Sequence, residues 1–223
     1  MGFLQIIKKK FYSHYSRKHG LIHKPKFEEM PSPEIGFQHL QYGKLLASRE
    51  QLLSLLTKNE VVAELDVDNG DFSRRILDIY QPSKLHLIDI WQSERYPEKL
   101  FHKVNQKFRA EVEGGVVEIN RGLSTEVVNH FPAEYFDWIY IDTDHTYAGT
   151  KAELESYLPK MKKGGIIAGH DFIVSEINVP WKYGVIEAVY EFCIEHHWEF
   201  LYLTMERGIT PSFAIKEIFQ PSN

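Results

Sequence analysis

Two short stretches concentrate side chains able to do acid-base or metal chemistry: Asp142-Thr143-Asp144-His145 and His170-Asp171. Each follows an apolar run that reads as a β-strand, so the five ionisable groups are expected to converge at neighbouring strand ends. Carboxylates held together repel one another, and such a group implies a bound cation, a shared proton or a catalytic task. Oxygen-rich ligands suit Mg²⁺, Mn²⁺ or Ca²⁺, while a histidine moves the balance toward Mn²⁺, Fe²⁺ or Zn²⁺. Mg²⁺ or Mn²⁺ is the expectation. The alternatives are a metal-free polar site and a purely structural role, in which Asp142 and Asp171 cap helices or loops and the histidines bond to nearby backbone.

A second constellation is the turn Glu64-Leu65-Asp66-Val67-Asp68-Asn69-Gly70-Asp71, which follows the first long apolar strand. Turns of this kind cradle nucleotides in α/β proteins, and Gly70 permits a tight turn or a close approach of ligand to backbone. The dinucleotide pattern G-x-G-x-x-G would need glycines where Asp66, Asp68 and Asp71 stand. Carboxylates here would also repel a pyrophosphate from the place a helix N-terminus offers it. S-adenosylmethionine carries a sulfonium and an ammonium and no phosphate, so the charge favours a methyl donor over a nicotinamide. Asp89, 19 residues after Gly70 at the end of the second strand, is placed to accept hydrogen bonds from two ribose hydroxyls. Leu123 could pack on the adenine face and Ser124 could contact its edge, although Ser124 serves equally well as an N-cap.

The elements that must position these groups alternate along the chain. A helix is expected around 44 to 57, strand Val61 to Val67, a helix at 71 to 80, strand Leu85 to Ile90 and a helix near 96 to 112. Strand Val116 to Asn120, a short helix near 124 to 130 and strand Trp138 to Asp142 come next. A helix near 148 to 162, the turn Lys163-Gly164-Gly165, strand Ile166 to His170 and a long helix within 182 to 197 complete the series. This βαβ order predicts an α/β, doubly wound, mostly parallel sheet that binds ligands at the carboxyl ends of its strands. Phe200 to Thr204 and Phe213 to Ile218 have only a loop between them and predict a terminal antiparallel hairpin, since parallel neighbours need a crossover.

The segments VVAELDVDNGDFS, LHLIDIW, WIYIDTDHTY and KKGGIIAGHDF, in this order, resemble class I S-adenosylmethionine-dependent methyltransferases of the small-domain, catechol-O-methyltransferase-like kind. The resemblance spans roughly residues 60 to 218 and implies a seven-stranded Rossmann-like sheet whose last strand is antiparallel. It implies donor binding by Glu64, Asp66, Asp68, Gly70, Asp89, Leu123 and Ser124. It also carries metal ligands onto Asp142, His170 and Asp171, with a histidine where an acid is usual. The metal of the resembling enzymes grips a substrate hydroxyl and lowers its pKa, and His145 would then take the proton. An imidazole pKa of about 6.5 suits that role. One departure stands out, because the family's first turn reads acid-x-Gly and here Asp66 holds the glycine's place. The expected reaction is O-methylation of a small hydroxylated molecule, a sugar or phenolic metabolite. The competing readings are a metal-dependent hydroxylase-like enzyme on the same scaffold and a non-catalytic binding module with a degenerate donor site.

Composition narrows the setting. The 223 residues are 43% hydrophobic, enough for one ordinary core. Apolar runs such as Trp138 to Ile141 fall far short of the roughly 20 residues a bilayer span needs. Cys193 is the single cysteine, so no intrachain disulfide forms and a cytoplasmic location is the default. It sits on the apolar face of its helix as a small hydrophobe. Residues 1 to 27 carry seven Lys/Arg and no acid, leaving −12 on the remainder of a chain of net charge −5. Phe3, Leu4, Ile6, Ile7, Phe11 and Tyr15 near Lys8 to Lys10 would suit an amphipathic helix on an anionic membrane surface, or an arm docked on its own domain or in a homodimer. The apolar patch precedes the lysines, the reverse of a secretory signal, so no cleaved leader is expected. Prolines 25, 31 and 33 with Gly36 divide a basic arm and linker, 1–37, from a catalytic domain, 38–223. The acidic body disfavours nucleic acid as a partner. Trp91, Tyr147, Trp181 and Tyr183 could line an acceptor pocket, although aromatics more often serve packing, and a chelate from adjacent His196 and His197 is not expected.

Overall fold

The computed structural model describes residues 30–92, 97–175, 182–208 and 210–219. The basic arm through residue 29 and Trp181 lie outside them. Among the described residues no helix is long and apolar enough to cross a membrane.

The strands are β1 Lys44–Leu46, β2 Val61–Leu65, β3 Lys84–Asp89, β4 Val117–Arg121, β5 Phe136–Ile141, β6 Met161–Gly169, β7 Trp198–Thr204 and β8 Phe213–Glu217. They form one sheet in the order β1-β7-β8-β6-β5-β2-β3-β4. Pairing is parallel except for β8, which runs antiparallel to β6 and to β7. The doubly wound sheet and the terminal hairpin are therefore as expected, with eight strands in place of seven.

The additional strand comes from the segment expected to begin a helix at 44. Ser48 is extended and its hydroxyl accepts from Gln51 N at 3.3 Å, so helix α1 starts only at Arg49 and runs to Leu55. Lys44–Leu46 is left to pair in parallel with Tyr202–Thr204 at the sheet edge. The expected helix at 71 to 80 is α2 Asp71–Arg75 followed by a wider π turn, Ile76–Tyr80. The helix near 96 to 112 is broken into α3 Glu98–Lys107 and α4 Arg109–Glu113, because Phe108 leaves helical geometry at φ −109 and ψ 17. Helix α5 is Ser124–Val127, α6 Tyr147–Tyr157 and α7 Val185–His196. Lys163-Gly164-Gly165 do not end an element. They stay inside β6, where the register to β5 slips between Phe136 and Trp138 and Gly164 takes φ +78.

Period-two alternation sorts the buried strands between two cores. Ala63, Leu65, Ile139, Ile141 and Ile167 face Leu154, Val189 and Phe192 of α6 and α7. Val62, Leu85, Leu87, Trp138 and Tyr140 face Leu52, Ile76, Val104 and Phe108 on the other side. Glu64 belongs by alternation to this second face. Both central strands release their next residues at the same edge, where Asp142 N donates to Leu65 O at 3.1 Å and His170 N to Ile141 O at 2.9 Å. That places Asp66, Asp142 and His170 side by side beyond the ladder.

Candidate active site

The first turn keeps a glycine-like backbone with a single glycine. Asp66, Asp68 and Gly70 have φ of 68, 52 and 73. Aspartate is among the few residues with a side chain that visit this left-handed region readily. Only Gly70 has no alternative, since an added Cβ would lie 2.5 Å from Phe108 Cε2. The break at Phe108 thus puts an aromatic ring directly beneath the turn.

Asp89 latches this turn from the next strand. Its Oδ2 accepts from Val67 N and Asp68 N, each at 3.0 Å, and its Oδ1 accepts from Trp91 N at 2.9 Å. Trp91 Nε1 in turn donates to Asp68 O at 3.1 Å. A carboxylate offers about four lone-pair sites, so three backbone donors leave Oδ1 room for about one more. Glu64 lies behind the turn, buried, with Ser73 Oγ donating to it. Burial pushes its carboxyl up to about 8, an effect that Ser73 opposes and the Asp142 charge reinforces. Burial thus works against charge on Glu64 behind the turn.

On the far side of the turn, Leu123 is 48% exposed and free to cover a flat ring. Ser124 is the first residue of α5, but its side chain makes no cap; the N-cap is Leu123. The Ser124 hydroxyl donates instead to Glu153 of α6, whose other oxygen accepts from Thr143 Oγ1 at 2.5 Å.

The acid and histidine cluster forms with four of its five expected members. His170 Nδ1 is 3.6 Å from Asp142 Oδ1 and 3.5 Å from Asp171 Oδ2, and His145 Nε2 is 3.2 Å from the same Asp171 oxygen. Thr210 donates to Asp171 Oδ1 at 2.5 Å. Asp144 does not join: it accepts from Thr146 N and Oγ1 at 3.0 and 2.9 Å, steadying the residue that caps α6. His145 and Asp171 both sit at positive φ, 59 and 53, strained positions of the kind that collect at active sites. Burial disfavours the charged His170 ring, yet hydrogen bonding and the charges of Asp142 and Asp171 outweigh it and raise the ring to about 9. For Asp171 burial likewise opposes charge, and its bond to His170 and the nearby His145 hold it below the usual carboxylate range.

Asp142, His170 and Asp171 each offer a ligand atom within 4.8 Å of the others. Ligands of one divalent ion at about 2.0–2.6 Å from it fall at such mutual separations. Two carboxylates and an imidazole fit Mn²⁺ or Mg²⁺. A second trio, Glu155, Glu195 and His196, lies on α6 and α7. His197 takes no part in it and ends α7 at φ 59.

Of the aromatic candidates, Tyr183 belongs to the site, its ring stacked 5.0 Å from that of His145. Trp91 is fully buried and is corrected to a core residue that holds the first turn. Tyr147 donates to Glu191 on the α6–α7 surface. Cys193 is buried as expected, its thiol pushed up to about 12 by burial. Two residues escaped the sequence reading. Arg49 opens α1, lies 4.5 Å over the Phe72 ring and feels the Glu206 and Asp142 charges. A cation at a helix N-terminus, where the dipole disfavours it, was the available signal. Glu153 is the other, an acid on the buried stripe of α6.

Residues 63–172 match a sequence family described as a methyltransferase domain. No match is found among curated proteins. Among solved structures, a protein assigned as an rRNA methylase from Clostridium thermocellum aligns with TM-score 0.57 at 11% identity, over 78% of this chain and 95% of its own. The B. subtilis tRNA methyltransferase TrmK aligns with TM-score 0.56 at 13% identity, over 78% and 67% of the two chains. A protein assigned as an O-methyltransferase from Nostoc punctiforme gives 0.55 at 9%, over 75% and 55%. These likenesses are of fold. The family match spans the first turn and the acid cluster, so residues 63–172 carry a methyltransferase domain, within a fold shared with solved methyltransferases.

Proposed function

We propose that the protein is an O-methyltransferase of the catechol-O-methyltransferase-like kind, acting on a small hydroxylated acceptor such as a sugar or phenol with help from a divalent cation. The observation that carries this reading is the meeting of Asp142, His145, His170 and Asp171 beside the donor turn. In this reading the adenine lies beside Leu123 and Ser124, one ribose hydroxyl reaches Asp89 Oδ1, and the sulfonium faces the acidic turn. The donor supplies an electrophilic methyl group.

Asp142, His170 and Asp171 would hold the cation, which when bound lowers the pKa of an acceptor hydroxyl. The chain's own residues perform the proton transfer. With its Nε2–H directed at Asp171, His145 keeps Nδ1 as the basic atom that receives the acceptor's proton. Asp171 then steadies the imidazolium, and the stacked Tyr183 ring fixes its plane. The acidic body argues for a small acceptor over a phosphate-rich polymer.

The test is calorimetric titration with S-adenosylhomocysteine, with and without Mn²⁺, on the parent and on Asp171→Asn. Donor binding in both proteins, with Mn²⁺ binding lost only in the variant, supports the reading. Mn²⁺ binding that survives in Asp171→Asn, or none in the parent, removes the metal from it.

A further inference from the structure

Glu153 is a buried acid that bridges the two halves of the site. It is 4% exposed, and its two oxygens accept from Ser124 at the start of α5 and from Thr143 beside Asp142. An ionised carboxylate only accepts hydrogen bonds, so both hydroxyl protons point at Glu153. The Ser124 oxygen then shows a ligand its lone pairs alone. Tyr157 OH, which donates to Ser124 O at 3.2 Å, fixes the same residue through its backbone. The side chain thus has one rotational state to offer, and Leu123 next to it is exposed for ring contact.

We propose that Glu153 is a positioning residue that sets the Ser124 hydroxyl as an acceptor for the exocyclic amine of the donor's adenine. The inference rests on the placement of adenine beside Leu123 and Ser124. The amine of adenine is a donor and meets the Ser124 lone pairs. The oxygen that replaces it in hypoxanthine is an acceptor and would face them with no proton between. Glu153 therefore makes the site select an adenosyl over an inosyl donor without touching the ligand. Burial pushes the Glu153 carboxyl up to about 7 while the Ser124 and Thr143 donors pull it back, so the ionised form prevails at mildly alkaline pH.

The experiment is calorimetry at pH 8 with S-adenosylhomocysteine and its deaminated counterpart S-inosylhomocysteine, on the full chain and on E153Q and S124A. The parent is expected to prefer the adenosyl ligand by ~10-fold or more, the scale of one buried hydrogen bond lost and an acceptor left unpaired. In E153Q the amide can donate, the Ser124 hydroxyl is released to turn, and the preference falls toward one. S124A, which leaves the buried acid in place, is expected to lose the preference as well. A parent that binds S-adenosylhomocysteine without preference overturns this inference and leaves the donor reading intact. Equal weakening of both ligands in E153Q, with the ratio kept, also overturns it by showing a structural role alone. A parent that binds neither ligand overturns the donor reading and this inference together.

Discussion

His145 Nε2 lies 3.2 Å from Asp171 Oδ2, so the loop that leaves β5 and the loop that leaves β6 meet in one pair at the carboxyl edge of the sheet. Both residues take left-handed backbone conformations to reach it, and Tyr183 closes on the histidine ring. As the proposed base, a ring so held should matter in the transition state more than in binding. His145→Gln is expected to lower kcat by about 10²- to 10⁴-fold, the usual worth of general acid-base catalysis, with S-adenosylhomocysteine affinity little changed. A loss confined to KM in steady-state assays against a hydroxylated acceptor would assign the ring to substrate binding instead.

The first turn sets two opposite expectations for glycine. Gly70→Ala must place a Cβ 2.5 Å from Phe108 Cε2 at φ +73 and is expected to cost at least about 1–3 kcal/mol. Asp66→Gly relieves a side chain at φ 68 and is expected to hold or raise stability, by up to about 1 kcal/mol. Urea unfolding of both variants decides it; equal midpoints would mean that the turn adapts and Phe108 moves.

Much of this architecture was legible because alternation of period two and 3.6 survives in the sequence. Strands at Val61 to Val67, Trp138 to Asp142, Phe200 to Thr204 and Phe213 to Ile218 could be read, each within a few residues of its bounds, as could the meeting of Asp142, His145, His170 and Asp171 at the strand ends. What could not be read was set by local competition or by long-range contact. Lys44–Leu46 had helix-compatible residues, and the Ser48 cap with the open edge of β7 made it a strand. The Phe108 break depends on a turn some forty residues away that needs a ring beneath Gly70. Asp144 was indistinguishable by type from Asp142, and only its bonds to Thr146 removed it from the cluster. Arg49 and Glu153 passed as ordinary helix charges because their partners come from other elements.

Asp89 holds the first turn and is proposed to take a ribose hydroxyl, and the loss of each can be measured separately. Asp89→Ala strips the acceptor from Val67 N, Asp68 N and Trp91 N and is expected to destabilise by about 2–4 kcal/mol as buried donors go unpaired. Asp89→Asn keeps one carbonyl acceptor and should cost less, while still weakening the donor. Thermal unfolding gives the first quantity, and S-adenosylhomocysteine calorimetry below the transition gives the second. If Asp89→Asn binds as the parent does, the acid serves the latch and not the ribose.

Glu64 makes stability depend on pH with a definite sign. Its folded-state pKa of about 8 stands above the ordinary carboxyl value of 4.5. Between the two, the folded chain binds a proton that the unfolded chain releases. Its contribution is therefore most favourable below about pH 4.5 and declines as pH rises toward about 8, above which it is level. Glu64→Gln keeps the shape and an acceptor for Ser73 but cannot ionise, so its urea midpoint should fall less than the parent's from pH 5 to about pH 8. Glu153, raised to about 7, slopes the same way in both proteins and cancels in the comparison. His86, lowered to about 4 by burial, slopes the opposite way and cancels as well. Parallel curves for parent and variant would show that Glu64 is ionised in the fold, stabilised by the Arg49 charge more than burial opposes it.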